Sequence, residues 1–172
     1  MRAQIVLFGT SHSLQCGTDK YTSAQLKCFR ARVRQVCQSY KIALVAEEMS
    51  SEGLAHYGKN TTVVAQLAEK LRIQHKFIDL TTTERVNLGI DDGALAAAAM
   101  NLGLSNSAKH LRDELNSRLS YPVRERCWFA RILATNVWPT LFICGANHIG
   151  NMGCLIGSVG QDALVAEHDY EP

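Results

Sequence analysis

Several short segments of this chain are apolar with little or no interruption, and this feature restricts the fold more than any other. A strand with one face in water alternates apolar and polar residues, whereas a continuous apolar run predicts a strand buried on both faces. Strands of this kind, separated by helical patterns, predict an α/β fold with a largely parallel sheet and helices on both faces. The predicted strands are QIVLF, KIALVAEEM, HKFIDL, PTLFICG and ALVAEHDY.

Periodic patterns predict the helices between these strands. Apolar residues recur at three- and four-residue steps in 22–40 and 62–71, and a leucine stripe marks 108–119. Pro122 suits the first turn of another helix that runs to about residue 135, and 151–160 is also predicted to be helical. A short helix is expected to begin near Asp92, and 50–60 is expected to be a loop. The 172 residues contain no linker or repeat and are expected to form one compact domain, 1–172.

Composition excludes several classes of protein. Hydrophobic residues make up 47% of the chain and charged residues 20%, which is too apolar for a disordered protein. A net charge of +2 requires no polyanionic partner. No apolar run approaches the roughly 20 residues of a membrane helix, and the first residues do not resemble a signal peptide. We therefore expect a cytoplasmic protein without a membrane partner.

Two of the predicted strands end in the same way, with a glycine that is followed by a histidine three residues later. IVLFGTSH contains Gly9 and His12, and LFICGANH contains Gly145 and His148. A glycine lets the backbone leave a strand sharply and approach a ligand closely. Because ligands bind at the carboxyl ends of strands in a parallel sheet, we expect both histidines to face one cleft.

Other polar residues follow the predicted strands and are expected at the same edge. Glu47 and Glu48 end the second strand, where an unpaired buried charge would be costly. One of them is expected to face the cleft, and the other to reach solvent or a helix N-terminus. Asp79 follows the third strand and either contributes to the cleft or caps the next turn. The residues expected to bind substrate are Gly9, Ser11, Asp79, Gly145 and Asn147.

Two histidines and a carboxylate in one cleft are suited to two kinds of chemistry. They can hold a divalent metal such as manganese, cobalt or zinc, with His12, Glu48 and His148 as the ligands. Alternatively, one histidine acts as a general base and the carboxylate orients it. A histidine after a strand can also be an ordinary loop residue, and the sequence leaves these alternatives open.

Arg126 lies in the predicted helix PVRERCWFARILA, on the same face as Phe129, Ala130 and Leu133. This pattern predicts that Arg126 faces the core, where an arginine requires an anionic partner such as a carboxylate or a substrate. The alternative is a slightly rotated helix in which Arg126 reaches solvent. The other charged residues of the segment are expected to be solvated, namely Arg124, Glu125 and Arg131.

Four segments, FGTSH, VAEEM, RERCWFA and CGANH, follow one another over most of the chain. They resemble the motifs of the TraB/TIKI superfamily, whose relatives include erythromycin-esterase-like and ChaN-like proteins. The resemblance implies a hydrolase-like activity that depends on both histidines and the glutamate. Some members look like metal-dependent proteases, and others resemble esterases in which a histidine is the base and no metal is required. The resemblance makes His12 and His148 the motif histidines, Glu48 or Glu47 the motif glutamate, and Arg126 the motif arginine.

The expected function is a small hydrolase that cleaves an ester or amide bond in a small-molecule or peptide substrate. A histidine activates water directly or through a metal, the glutamate orients that histidine or binds the metal, and the arginine stabilises negative charge. Two alternatives stay open: a non-catalytic small-anion-binding or regulatory protein with the same cleft, and association with nucleic acid through the basic first helix. The alanine-rich stretch 94–99 can pack against a second copy of the chain or against an internal helix.

Overall fold

A computed structural model of the protein describes residues 4–90 and 116–172, together with positions 97, 100, 101, 103 and 114. Its centre is a five-stranded sheet in the order β3-β2-β4-β1-β5, in which all neighbouring strands are parallel. The α/β fold class is therefore confirmed. The strands are β1 Gln4–Thr10, β2 Leu44–Glu47, β3 Gln74–Phe77, β4 Thr140–Gly145 and β5 Asp162–Tyr170.

Helices follow the strands, and most of those described begin at a Ser or Thr whose hydroxyl accepts a backbone N–H of the first turn. Thr22 and Thr81 extend this arrangement to a full capping box with Gln25 and Glu84, respectively. The described helices are α1 His12–Cys16, α2 Ser23–Ser39, α3 Ser51–His56, α4 Val63–Leu71, α5 Thr82–Asn87, α6 Tyr121–Thr135 and α7 Ile149–Ser158. A π-helical turn, Asn116–Ser120, precedes α6, and a 3-10 turn, Ala146–His148, precedes α7.

Both faces of the sheet are covered, which explains the continuous apolar runs of the sequence. Successive residues of a strand point to opposite faces, so Val6 and Phe8 pack in a cluster with α2 and α4. Ile5 and Leu7 pack on the other face in a cluster with α6 and α7. The prediction of helices on both faces is confirmed.

The chain leaves the neighbouring strands β1 and β4 toward opposite faces of the sheet. After β1 it continues into α1 and α2, and after β4 it continues into α7 on the other face. This divergence opens a crevice at the carboxyl ends of the two strands, which is the usual position for a ligand. His12 begins α1 and His148 ends the turn after β4, so the fold brings both histidines to this crevice.

Most secondary-structure predictions are confirmed, with shifts of a few residues at the ends of elements. The predicted loop at 50–60 is wrong in part, because Ser50 caps the helix α3, Ser51–His56, within it. The helices α1 and α5 were missed, since five or six residues are too few to show a helical period. The helix expected near Asp92 and most of the stretches 94–99 and 108–119 lie outside the described residues. In the part of the chain that is described, no helix is long and apolar enough to span a membrane.

Candidate active site

The carboxylate of Glu48, directly after β2, lies at the centre of the site and is buried. Its Oε1 atom accepts a hydrogen bond from Nη2 of Arg124 at 2.6 Å. Its Oε2 atom accepts the backbone N–H of Gly145 at 2.8 Å. A buried carboxylate without partners would be strongly disfavoured, so these two bonds allow Glu48 to stay ionised between the strand ends.

His12 forms the exposed side of this cluster. Its Nε2 atom lies 3.3 Å from Oε2 of Glu48, and 35% of its side chain is exposed. Burial lowers the pKa of His12, but the attraction of the Glu48 carboxylate outweighs this effect and the pKa is raised overall. Burial likewise raises the pKa of Glu48, but His12 and the Arg124 guanidinium outweigh it and hold that pKa well below its usual range. The pair therefore combines a fixed negative charge with a titratable ring in the cleft.

Arg124 connects Glu48 to a second buried carboxylate, that of Asp79. The Nε and Nη2 atoms of Arg124 donate to the two oxygens of Asp79 at 3.2 and 3.0 Å. The guanidinium also lies over the ring of Trp128, 4.7 Å from its centre. Asp79 accepts further hydrogen bonds from Trp128 at 2.9 Å and from Arg85 at 2.5 Å. This network fixes the position of Arg124 and, through it, the position of Glu48.

His148 is paired with the carboxylate of Glu125, which the sequence predicts to be solvated. Its Nδ1 atom lies 2.7 Å from Oε1 of Glu125, and both side chains are buried. The rings of Tyr121 and Trp128 pack edge-on against the imidazole, with centroids 4.3 and 4.9 Å away. The Nε2 atom of His148 lies 3.6 Å from Glu48 Oε1. His148 therefore lies between two buried carboxylates, bonded to Glu125 and close to Glu48.

A cleft with two lobes opens over this cluster. Lobe A has a volume of about 440 Å³ and lobe B of about 370 Å³. His12, Glu48 and Arg124 line both lobes, so the histidine–carboxylate pair lies where the lobes meet. Lobe A is also lined by Ser50, Glu52, His56, Tyr57, Asp79, Leu80, Thr82 and Arg85 among others, and lobe B by Thr10, Ser11, Tyr121, Gly145, Asn147, His148 and Asp169 among others.

The predicted substrate-binding residues differ in which lobe they line and in what their polar groups already bind. Ser11 and Asn147 line lobe B, although the Ser11 hydroxyl is hydrogen-bonded to Tyr21 Oη at 2.9 Å. Gly145 also lines lobe B, and its N–H is directed at Glu48. Asp79 lines lobe A, but its carboxylate is bound by the arginines of the cluster and serves to position them.

Gly9 lines neither lobe, and the prediction that it ends the first strand is wrong. β1 continues to Thr10, and a Cβ atom at Gly9 would lie 1.9 Å from the carbonyl oxygen of His168 in β5. The pairing of β1 with β5 is irregular at this point. The absence of a side chain at Gly9 therefore allows two strands to approach closely and has no direct relation to a ligand.

Glu47 points away from the cleft because neighbouring residues along an extended segment have opposite orientations. Its Oε1 atom accepts hydrogen bonds from Thr62 Oγ1 at 2.5 Å and from His75 Nε2 at 2.7 Å. Thr62 caps the start of α4, so Glu47 joins β2 to that helix. The structure thus places Glu48 in the cluster and Glu47 outside it, and a catalytic role for Glu47 has no geometric support.

The prediction that Arg126 faces the core is wrong. Arg126 is exposed, and its Nη1 atom donates to the carbonyl oxygen of Pro122 at 3.4 Å. Arg124, two residues earlier, supplies the guanidinium of the site, and Glu125 is buried beside it. The expectation that Arg124 and Glu125 are solvated is therefore also wrong, and Arg131 is only partly exposed, because it donates to the carbonyl oxygen of Asp79 at 2.8 Å.

The sequence of α6 contains a second apolar stripe with larger side chains, and this stripe indicates the helix orientation that buries Arg124 and exposes Arg126. Trp128, Phe129 and Ile132 are buried, whereas Ala130 and Leu133 are exposed. The buried stripe carries more apolar area, and burial of apolar area is what orients a helix against a sheet. Positions 124 and 125 lie three to four residues before that stripe and therefore share its face.

The residues do not fit a divalent metal. Among the described residues, no group of three or more His, Cys, Asp or Glu side chains is arranged to hold an ion. Both oxygens of Glu48 already accept hydrogen bonds, and the Arg124 guanidinium would repel a second cation beside the same carboxylate. Metal binding by His12, Glu48 and His148 stays a prediction that this geometry does not favour.

Comparisons of the chain with protein-family models, with curated proteins and with solved structures gave no match. The resemblance to the TraB/TIKI superfamily therefore stays a prediction, and the function has to be inferred from the geometry of the site.

Proposed function

We propose that this protein is a hydrolase that cleaves an ester or amide bond without a metal, with His12 as the general base. The observation that carries the proposal is the 3.3 Å contact between the partly exposed imidazole of His12 and the buried, anchored carboxylate of Glu48. A carboxylate behind an imidazole orients the ring and stabilises the imidazolium that forms when the ring accepts a proton. Because Glu48 is held from two sides, it can act in this way without moving.

The reaction follows from the orientation of the ring. With Nε2 of His12 turned toward Glu48, Nδ1 is the nitrogen that accepts a proton from a water molecule in the cleft. The water oxygen forms a bond to the carbonyl carbon, and the carbonyl oxygen becomes negatively charged. His12 then returns the proton to the leaving alcohol or amine as the ester or amide bond breaks.

The two alternatives have weaker geometric support. Anion binding would need a free cation, but Arg124 and Arg85 are both bound to Asp79. The basic helix α2 contributes no residue to either lobe of the cleft, and one of its arginines, Arg32, is paired with Glu167 of β5.

The proposal can be tested with p-nitrophenyl esters and fluorogenic peptides of varied length. We expect the wild-type protein to hydrolyse one of these classes and the variant His12→Gln to lose about 100-fold or more of the rate, the usual contribution of a general base. His168→Gln is the matched control, because His168 is exposed on β5 outside the cleft, and it should keep the full rate. A chelator should leave the rate unchanged, and manganese, cobalt or zinc should not raise the melting temperature. Retained turnover in His12→Gln, or activity that a chelator removes and one metal restores, would contradict the proposal.

A further inference from the structure

The cleft is more acidic than the chain as a whole. The chain has a formal net charge of +2, whereas the described residues that line the two lobes include four carboxylates and two guanidinium groups. Histidines in the lining add positive charge only when they are protonated. The carboxylates belong to Glu48, Glu52, Asp79 and Asp169, and the guanidinium groups to Arg85 and Arg124.

Neither guanidinium is free to bind an anionic substrate. Arg124 donates to Glu48 and Asp79, and Arg85 donates to Asp79 and to the carbonyl oxygen of Leu80. A carboxylate or phosphate on a substrate would have to displace one of these bonds, and removing one partner from a buried ion pair is strongly unfavourable. The described lining of the cleft therefore disfavours a negatively charged substrate.

Asp169 differs from the other three carboxylates. Glu48 and Asp79 are bound by arginines, and Glu52 accepts the N–H of Thr82 at 2.5 Å. Asp169 makes no hydrogen bond or ion pair with any residue that the structure describes, and it lines lobe B together with His12. Its backbone is well fixed, because the carbonyl oxygen of the next residue, Tyr170, accepts the Thr10 hydroxyl at 3.0 Å.

We infer that lobe B takes a positively charged group of the substrate, such as an ammonium, with Asp169 as its counter-charge. The inference rests on the proposed hydrolase function and names the substrate class: an ester or amide with a cationic group near the bond that is cleaved. The negative charge of the cleft attracts such a molecule from solution, and this attraction weakens as salt is added. Because His12 lines the same lobe, a substrate whose cationic group is held by Asp169 lies in the lobe that contains the base.

The test uses three p-nitrophenyl esters of equal acyl length that end in a trimethylammonium, a tert-butyl or a carboxylate group. The first two have the same shape and differ in charge. We expect kcat/KM to be highest for the cationic ester and lowest for the anionic one. Asp169→Asn should reduce the preference for the cationic over the tert-butyl ester by up to about fivefold, the usual size of an exposed ion pair, through KM and not kcat. Asp162→Asn, an exposed acid of β5 outside the lobes, is the control and should leave the preference unchanged.

Failure of the inference and failure of the proposed function give different results. If the protein hydrolyses the esters through His12 but shows no cationic preference, or a preference that Asp169→Asn does not alter, the inference is wrong and the hydrolase proposal stands. If no ester or peptide is turned over, hexyltrimethylammonium is titrated into labelled protein and the amide NMR signals of Thr10, Ser11 and Asp169 are followed. Binding that Asp169→Asn weakens then supports the cationic site without the hydrolase, and an absence of binding overturns both.

Discussion

Arg124 donates a hydrogen bond of 2.6 Å to Glu48 across 76 positions of sequence, and both side chains are buried. This ion pair joins α6 to the end of β2 and holds the carboxylate that contacts His12. Its consequence is that the stability of the fold and the geometry of the candidate site depend on the same two residues. Substitutions in the cluster therefore need a measurement of stability beside any measurement of activity.

Loss of the Arg124 guanidinium should destabilise the protein strongly. The variant Arg124→Gln leaves Glu48 and Asp79 without their shared cation, and breaking a buried pair in this way costs about 3–5 kcal/mol. Arg126→Gln, on the exposed face of the same helix, should change the unfolding free energy by no more than about 0.5 kcal/mol. Urea denaturation of the two variants measures the difference, and equal effects would contradict the assignment of Arg124 to the site.

The contact between His12 and Glu48 should make stability depend on pH. The pKa of His12 is raised in the folded protein from its ordinary value of 6.5, so the imidazolium binds Glu48 more strongly in the folded than in the unfolded state. The resulting stabilisation is fully present below pH 6.5 and is lost as the pH rises through the folded pKa. We expect the unfolding free energies of wild type and His12→Gln to differ most below pH 6.5 and to converge as the pH rises above it.

Urea denaturation at a series of pH values measures this difference, and NMR titration of the His12 ring gives the folded pKa directly. The series should stay well above pH 4.5, the ordinary pKa of Glu48, so that this carboxyl is ionised in both states. The pKa of Glu48 is lowered on folding, so its own contribution to stability is lost only in more acidic solution. A difference that grows with pH would show that His12 is not bound to a carboxylate.

Removal of the Glu125 carboxylate should leave His148 with a buried ring nitrogen that has no partner. Glu125→Ala is expected to cost about 1–3 kcal/mol, the penalty for an unsatisfied buried polar group. Glu125→Gln should cost less, because an amide oxygen can still accept the N–H of the ring. Asn151→Ala removes only an exposed residue that contacts the same oxygen of Glu125 at 3.4 Å, and its effect should be close to zero. Thermal unfolding measures the stability of the three variants. An equal loss of stability in Glu125→Ala and Asn151→Ala would exclude a structural role for the pair of Glu125 and His148.

Two glycine-to-alanine substitutions should change the stability of the folded protein in opposite directions. At Gly9 the new Cβ would lie 1.9 Å from a backbone oxygen of β5, so the two strands must separate, and we expect a loss of about 3 kcal/mol or more. At Gly157, within α7, a Cβ meets nothing within 4 Å, and alanine should stabilise the helix by about 0.5–1 kcal/mol. The melting temperatures of the two variants measure the effects, and a tolerated Gly9→Ala would contradict the close approach of β1 and β5.

The sequence by itself determined the α/β class and the approximate positions of the strands. Both follow from local patterns, because continuous apolar runs such as the one before Gly145 require cover on both faces of the sheet. The placement of His12 and His148 at one crevice was also predictable, since both follow strands whose carboxyl ends share an edge. The short helices α1, α3 and α5 were not predictable in the same way, because they contain too few residues to show a period.

Only the tertiary structure decided which charged side chains meet. Arg124 and Arg126 are two positions apart, about 200° around a helix, and the packing of α6 on the sheet selects which of them is buried. Glu47 and Glu48 point in opposite directions, and Thr62, His75 and Arg124 determine the role of each. These partners come from distant parts of the chain, and the hydrogen bonds that select one charged residue over its neighbour form only when the helices are packed against the sheet.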